Sequence, residues 1–207
     1  MKSRQILINF CILAFLVNAM LVPMDSLQAP LVSDVLGEGS GLLSAIGTAS
    51  VLGMGIGSLV FPHISKKVRI GTALAVYGAG LAISGILLPL GGFVKGNTMA
   101  VYAISIVAML GSGFFVSLLN MAAQVQFLKC VDQDYLARAQ ALLCAGAMAA
   151  MPITSFLLGI VVKYVSVRDI MILGNILSGL LFVGSRIANV KFEEENGEKE
   201  DRILQSN

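Results

Sequence analysis

The chain has no tryptophan, one histidine and three cysteines in 207 residues, and only 13% of it is charged. Each shortage excludes something. A single histidine with Cys11, Cys130 and Cys144 scattered in or beside apolar runs provides no metal-ligand spacing. An odd number of cysteines in such runs does not form a disulfide framework and reads as small packing residues. Charge is about half the ~25% of a soluble domain, and no stretch clusters Lys and Arg as a nucleic-acid groove requires, so no nucleic acid is expected as a partner. What fills the chain instead is 57% hydrophobic residues and 22 glycines, with a mean hydropathy of +0.86.

Charged residues interrupt these apolar runs at intervals of about 20 residues or more, the length that crosses a bilayer. Six candidate spans follow, over 5–24, 41–62, 70–94, 98–126, 139–162 and 169–188, in a bundle domain covering 1–190. The fourth is longer than a crossing needs, so it tilts or continues as helix beyond the membrane. Residues 191–207, with Glu193, Glu194, Glu195, Glu198, Glu200 and Asp201, show no apolar periodicity and form an acidic tail expected to be disordered.

Cytoplasmic loops retain positive charge. With the N-terminus inside, Lys2, Arg4, Lys66, Lys67, Arg69, Lys129, Arg138, Arg186, Lys191, Lys199 and Arg202 fall on the inner side. Only Lys95, Lys163 and Arg168 fall outside. Eleven against three places both termini in the cytoplasm. Lys2 and Arg4 also precede the apolar run Ile6 to Met20 as in a signal peptide. That run is at the upper limit for one, and Ser26-Leu27-Gln28-Ala29 lacks a small residue three before the cut, so a retained span is expected.

Small residues at four-residue spacing let helices approach closely in lipid. Ala49, Gly53 and Gly57 form one such stripe, Gly71, Ala75 and Ala79 a second, and Gly174 with Ser178 a third. Gly53-Met54-Gly55-Ile56-Gly57 is no nucleotide loop, because no strand precedes it and no phosphate-binding Lys follows. Gly111-Ser112-Gly113 places a serine between glycines, as in a membrane hydrolase, but its nucleophile needs a base within reach and His63 is expected in the loop after the second span. No catalytic residue, no cofactor and no metal site is expected.

A shift of 97 residues lays Ser58 on Ser155, Lys66 on Lys163 and Val68 on Val165, matching the second span to the fifth. An offset of three spans reverses membrane direction, as in inverted three-helix repeats. Two further segments carry a resemblance. One is Gly57-Ser58-Leu59-Val60-Phe61-Pro62-His63-Ile64-Ser65-Lys66-Lys67. The other joins Asn120, Gln124 and Val125-Gln126-Phe127-Leu128 to Arg138-Ala139-Gln140 and the small-residue run Ala145 to Pro152.

Over about residues 5–188 the chain resembles the C-terminal six-helix half of a major facilitator superfamily transporter, nearest to the bacterial drug and macrolide efflux branch. The superfamily loop has a glycine, an acidic residue and a basic cluster; here the basic part is present and Phe61 or Pro62 occupies the acidic position. The resemblance implies an all-α membrane protein, six transmembrane helices as two inverted three-helix repeats, half of a major facilitator fold. It implies a multi-pass protein of the bacterial cytoplasmic membrane that exports small organic substrates by alternating access. Complete members have two such halves, so the implied partners are the lipid bilayer, a small organic substrate and a second six-helix half, as a separate chain or in a homodimer. The alternatives are a non-transporting assembly partner and an inactive remnant of a full-length transporter.

In halves of this superfamily the first and fourth spans line the cavity. The resemblance therefore directs attention to Asn18, Asp25 and Gln28, and to Ser117, Asn120 and Gln124. Spacing places Asn18 and Asp25, seven apart, on nearly one face, and Ser117, Asn120 and Gln124 at steps of three and four. Asn120 and Gln124 either line the cavity or bond to neighbouring helices. Asp25, after Pro23 near the expected outer boundary, is either a solvated carboxylate or a charge that binds a cation or proton, which makes it the proton-coupling candidate. Methionines at 54, 109, 121, 148, 151 and 171 either pack or offer an adaptable surface to varied drugs.

Overall fold

The structure is a computed structural model describing residues 21–65, 70–94, 96–130, 135–180 and 184. Most of the expected first span, all of the acidic tail and the end of the sixth span lie outside the described residues. Among the described residues every regular element is helical. In chain order they are α1 over 21–30, running into a π-helical stretch Leu31–Leu36; α2, Ser40–Ser65; α3, Ile70–Leu90, extended by a 3-10 turn Gly91–Val94; α4, Thr98–Cys130; α5, Leu136–Val161; and α6 over 167–180. Four stretches are long and apolar enough to cross a bilayer, Ser40–Ile64, Ala75–Val94, Thr98–Val125 and Leu136–Val161. They fall on the second to fifth candidate spans. At 1.5 Å per residue α4 is about 50 Å long, beyond the ~30 Å hydrocarbon core.

Local chemistry sets several boundaries. Asn97 accepts the Ala100 amide through its Oδ1 at 3.3 Å, capping α4 directly after Gly96, whose φ of +117° turns the chain into the helix. Ser166 and Asp169 form a reciprocal cap on α6: the Asp169 amide donates to Ser166 Oγ at 3.3 Å and that hydroxyl donates to Asp169 Oδ2 at 2.9 Å.

The first helix runs on past residue 24. Leu27 still donates to the Pro23 carbonyl at 3.0 Å and Leu31 to the Leu27 carbonyl at 2.9 Å, so Pro23 does not stop the helix. Pro30 has no N–H to give. After it the backbone widens into the π-helical stretch and ends at Gly37, which takes a left-handed φ of 72° and donates to the Val32 carbonyl. Leu31, Val32 and Leu36 are buried there, and their burial holds the extra turns in place.

α4 is central and packs against both α2 and α3. The α2–α4 crossing is the closest in the bundle. A side chain at Gly53 would run into the Leu110 carbonyl, one at Gly113 into the Ser50 carbonyl, and a Cβ at Gly57 would come within 2.7 Å of the Phe114 oxygen. The stripe Ala49, Gly53, Gly57 thus faces α4, with Gly113 answering it from the other helix. Two apolar clusters flank the crossing. One gathers Leu31, Leu36, Leu42, Ile46, Leu88, Val101, Met109 and Met171; the other gathers Tyr77, Leu81, Leu118, Leu119 and Ala122 with Phe114 and Phe115, whose rings meet edge to face at 5.3 Å. On the far side of α3, the Asn175 amide of α6 lies directly against Gly85 and donates to the Met171 carbonyl at 2.8 Å.

Candidate functional site: a polar face between α1 and α5

Asp25 and Ser26 sit side by side on α1, both exposed. Ser26 Oγ lies 3.4 Å from Ser155 Oγ, also exposed, on α5. Helical structure continues from Asp25 as far as Leu36, eleven residues further on. One turn further on, Gln28 is half-buried and its Nε2 donates to the Met109 Sδ on α4 at 3.9 Å, a long and weak contact. A carboxylate within a span is costly in hydrocarbon and turns toward protein or a wet cavity.

The remaining candidates do not join this group. Asn18 lies outside the described residues. Ser117 is half-buried in the α2–α4 crossing, where a Cβ on Gly57 would stand 3.0 Å from the Ser117 Cβ and 3.3 Å from its Oγ. That position is a packing position. Asn120 and Gln124 are exposed, but they lie eleven and fifteen residues beyond Met109, about 16 and 22 Å along α4 from the level of Gln28. They belong to another depth of the bundle. Two polar groups on α4 are enclosed instead: the hydroxyls of Ser105 and Ser112 are buried and have no hydrogen-bond partner among the described residues.

Sequence reasoning matched Ser155 to Ser58 in the repeat without treating it as a site residue; the available signal was a hydroxyl in an apolar span. The methionines divide. Met109 and Met171 are core, whereas Met54, Met148 and Met151 are exposed on α2 and α5. Ser112 is level with the crossing, since its neighbour Gly113 abuts Ser50, and His63 stands thirteen residues further along α2, about 20 Å away and out of reach as a base. Among the described residues no three His, Cys, Asp or Glu side chains gather to hold a metal ion.

Comparison of the chain with family models, curated proteins and solved structures gave no match. Function therefore rests on the arrangement of its own residues.

Proposed function

We propose that the chain forms one six-helix half of a major facilitator type transporter, two inverted three-helix repeats in the bacterial cytoplasmic membrane with both termini inside. In this reading it exports small organic molecules by alternating access, together with a second six-helix bundle. The observation that carries the reading is the exposed Asp25 on α1, next in sequence to the Ser26–Ser155 pair. In this reading α1 lies within the membrane, where lipid does not solvate a carboxylate, so Asp25 belongs against water or against another protein surface.

The outward faces of α2 and α5 support a protein neighbour. Their apolar windows are only 22% and 12% buried, against 44% and 33% for α3 and α4. Ser44, Thr48 and Gly55 lie exposed on one side of α2, and Ala145, Ala149, Pro152 and Gly159 on one side of α5. Small residues on an open helix face permit close approach by another helix. α2 and α5 are also the two spans that the 97-residue shift relates, as expected if one bundle meets its partner through repeat-related helices.

Transport then needs both bundles. Proteoliposomes holding the chain as a cross-link-verified monomer should move neither ethidium nor erythromycin along an imposed proton gradient. Flux should appear only when a second six-helix bundle, another copy or a separate chain, is reconstituted with it. Sustained flux by the monomer contradicts the proposal.

A further inference from the structure

At one end of the bundle three segments distant in sequence interlock. The end of the π-helical stretch contributes Asp34 and Val35, the corner between α3 and α4 contributes Gly92 and Phe93, and the first turn of α6 contributes Arg168 and Asp169. With Ser166, all but Phe93 line a cavity of about 380 Å³. The Arg168 guanidinium carbon stands 4.5 Å from the centre of the Phe93 ring. The same side chain reaches across Gly92: a Cβ there would come within 3.0 Å of Arg168 Nη2 and 2.8 Å of Val35 Cγ1. A side chain at position 92 would have to displace the tip of the arginine, the valine, or both.

We propose that Arg168 is the bolt of a clasp, which when seated on Phe93 closes this corner over Val35 and when released opens the cavity between Asp34 and Asp169. The physical reason for a movable part is the weakness of its seat. Phe93 is 71% exposed, and a cation over an aromatic ring in contact with solvent is held weakly. The frame around it is firmer. Asp169 is fixed by the Ser166 cap, Ser33 Oγ donates to Asp34 Oδ1 at 2.7 Å, and the corner turn is buried at Gly91 and Gly92. Each acid accepts a hydroxyl from its own segment, while the arginine reaches from α6 to the corner turn.

The test uses the full chain with Cys11, Cys130 and Cys144 replaced by serine and a single Val35→Cys reporter, since Val35 is half-buried behind the clasp. The rate of modification by a membrane-impermeant methanethiosulfonate is read in detergent. Arg168→Gln and Phe93→Leu should each raise that rate about three- to five-fold, the range that a solvent-exposed cation–π contact allows. The double variant should react no faster than either single one. Unchanged rates in either single variant, or effects that multiply in the double variant, overturn the clasp. Arg168 and Phe93 lie outside the apolar clusters, so folding survives these changes; equal elution and helical circular dichroism of all forms verify it.

Discussion

Gly113→Ala separates α2 from α4 and lowers the stability of the bundle by about 1–3 kcal/mol, the usual range for an overpacked core, and Gly113→Leu prevents a monodisperse fold. The methyl group alone collides with the Ser50 carbonyl, and backbone does not yield as a flexible side chain does. Relief requires a shift of the whole crossing, which also carries Gly53 against Leu110 and Gly57 against Phe114. All three close approaches fail together. The matched control is Gly55→Ala, two residues from Gly53 on the same helix, where nothing lies within 4 Å of an added Cβ. Stability in detergent should stay within about 0.5 kcal/mol there, or rise slightly, because alanine favours helix over glycine. Thermal unfolding followed by circular dichroism distinguishes the two. Equal losses at positions 55 and 113 would mean that the α2–α4 crossing is not where the bundle is held.

Asp25→Asn produces the second large effect, on transport rather than on stability. The substitution keeps size and hydrogen-bonding capacity and removes titration. Asp25 is exposed, so the bundle loses no packing. In the reconstituted pair of bundles, gradient-driven export of ethidium should be lost, since no titratable group remains at that position to couple it, and its pH dependence should flatten. Binding of ethidium should change by less than about three-fold, because the amide still presents a polar group to the cavity. Unaltered rate and pH dependence would leave Asp25 a solvated carboxylate with no part in coupling.

Much of the architecture is legible in the sequence because lipid imposes one rule along the whole chain. Charge-free runs of span length mark α2 to α5, and the Ala49-Gly53-Gly57 stripe marks the face that meets α4. The partner glycine was harder to see. Gly113 and Ser117 stand four apart, as Gly174 and Ser178 do, but which helix they meet is visible only once Ser50 and Gly57 lie against them. The course of α1 was obscured by local signals that usually end a span, Pro23 and Asp25. The apolar residues Leu31, Val32 and Leu36 outweigh them by burying against the other helices, with Pro30 absorbed in the π-helical stretch. The polar candidates on α4 share a face by spacing, but spacing along one helix does not give the depth at which another helix crosses it. The Gln28–Met109 contact sets that depth and separates them from Asp25.

The central claim is that the face of α1 and α5 carrying Asp25, Ser26 and Ser155 is turned to a water-filled path rather than to lipid. Single cysteines at positions 25 and 155, in the chain freed of its own cysteines and embedded in lipid vesicles with its partner bundle, test it most directly. A methanethiosulfonate reagent reacts with thiolate, which forms only where water reaches the sulfur. The account predicts that both cysteines react, that ethidium slows both, and that a cysteine at Ile83, 70% exposed on α3, stays unreactive in lipid. Cysteines at 25 and 155 as inert as the one at 83 would contradict it.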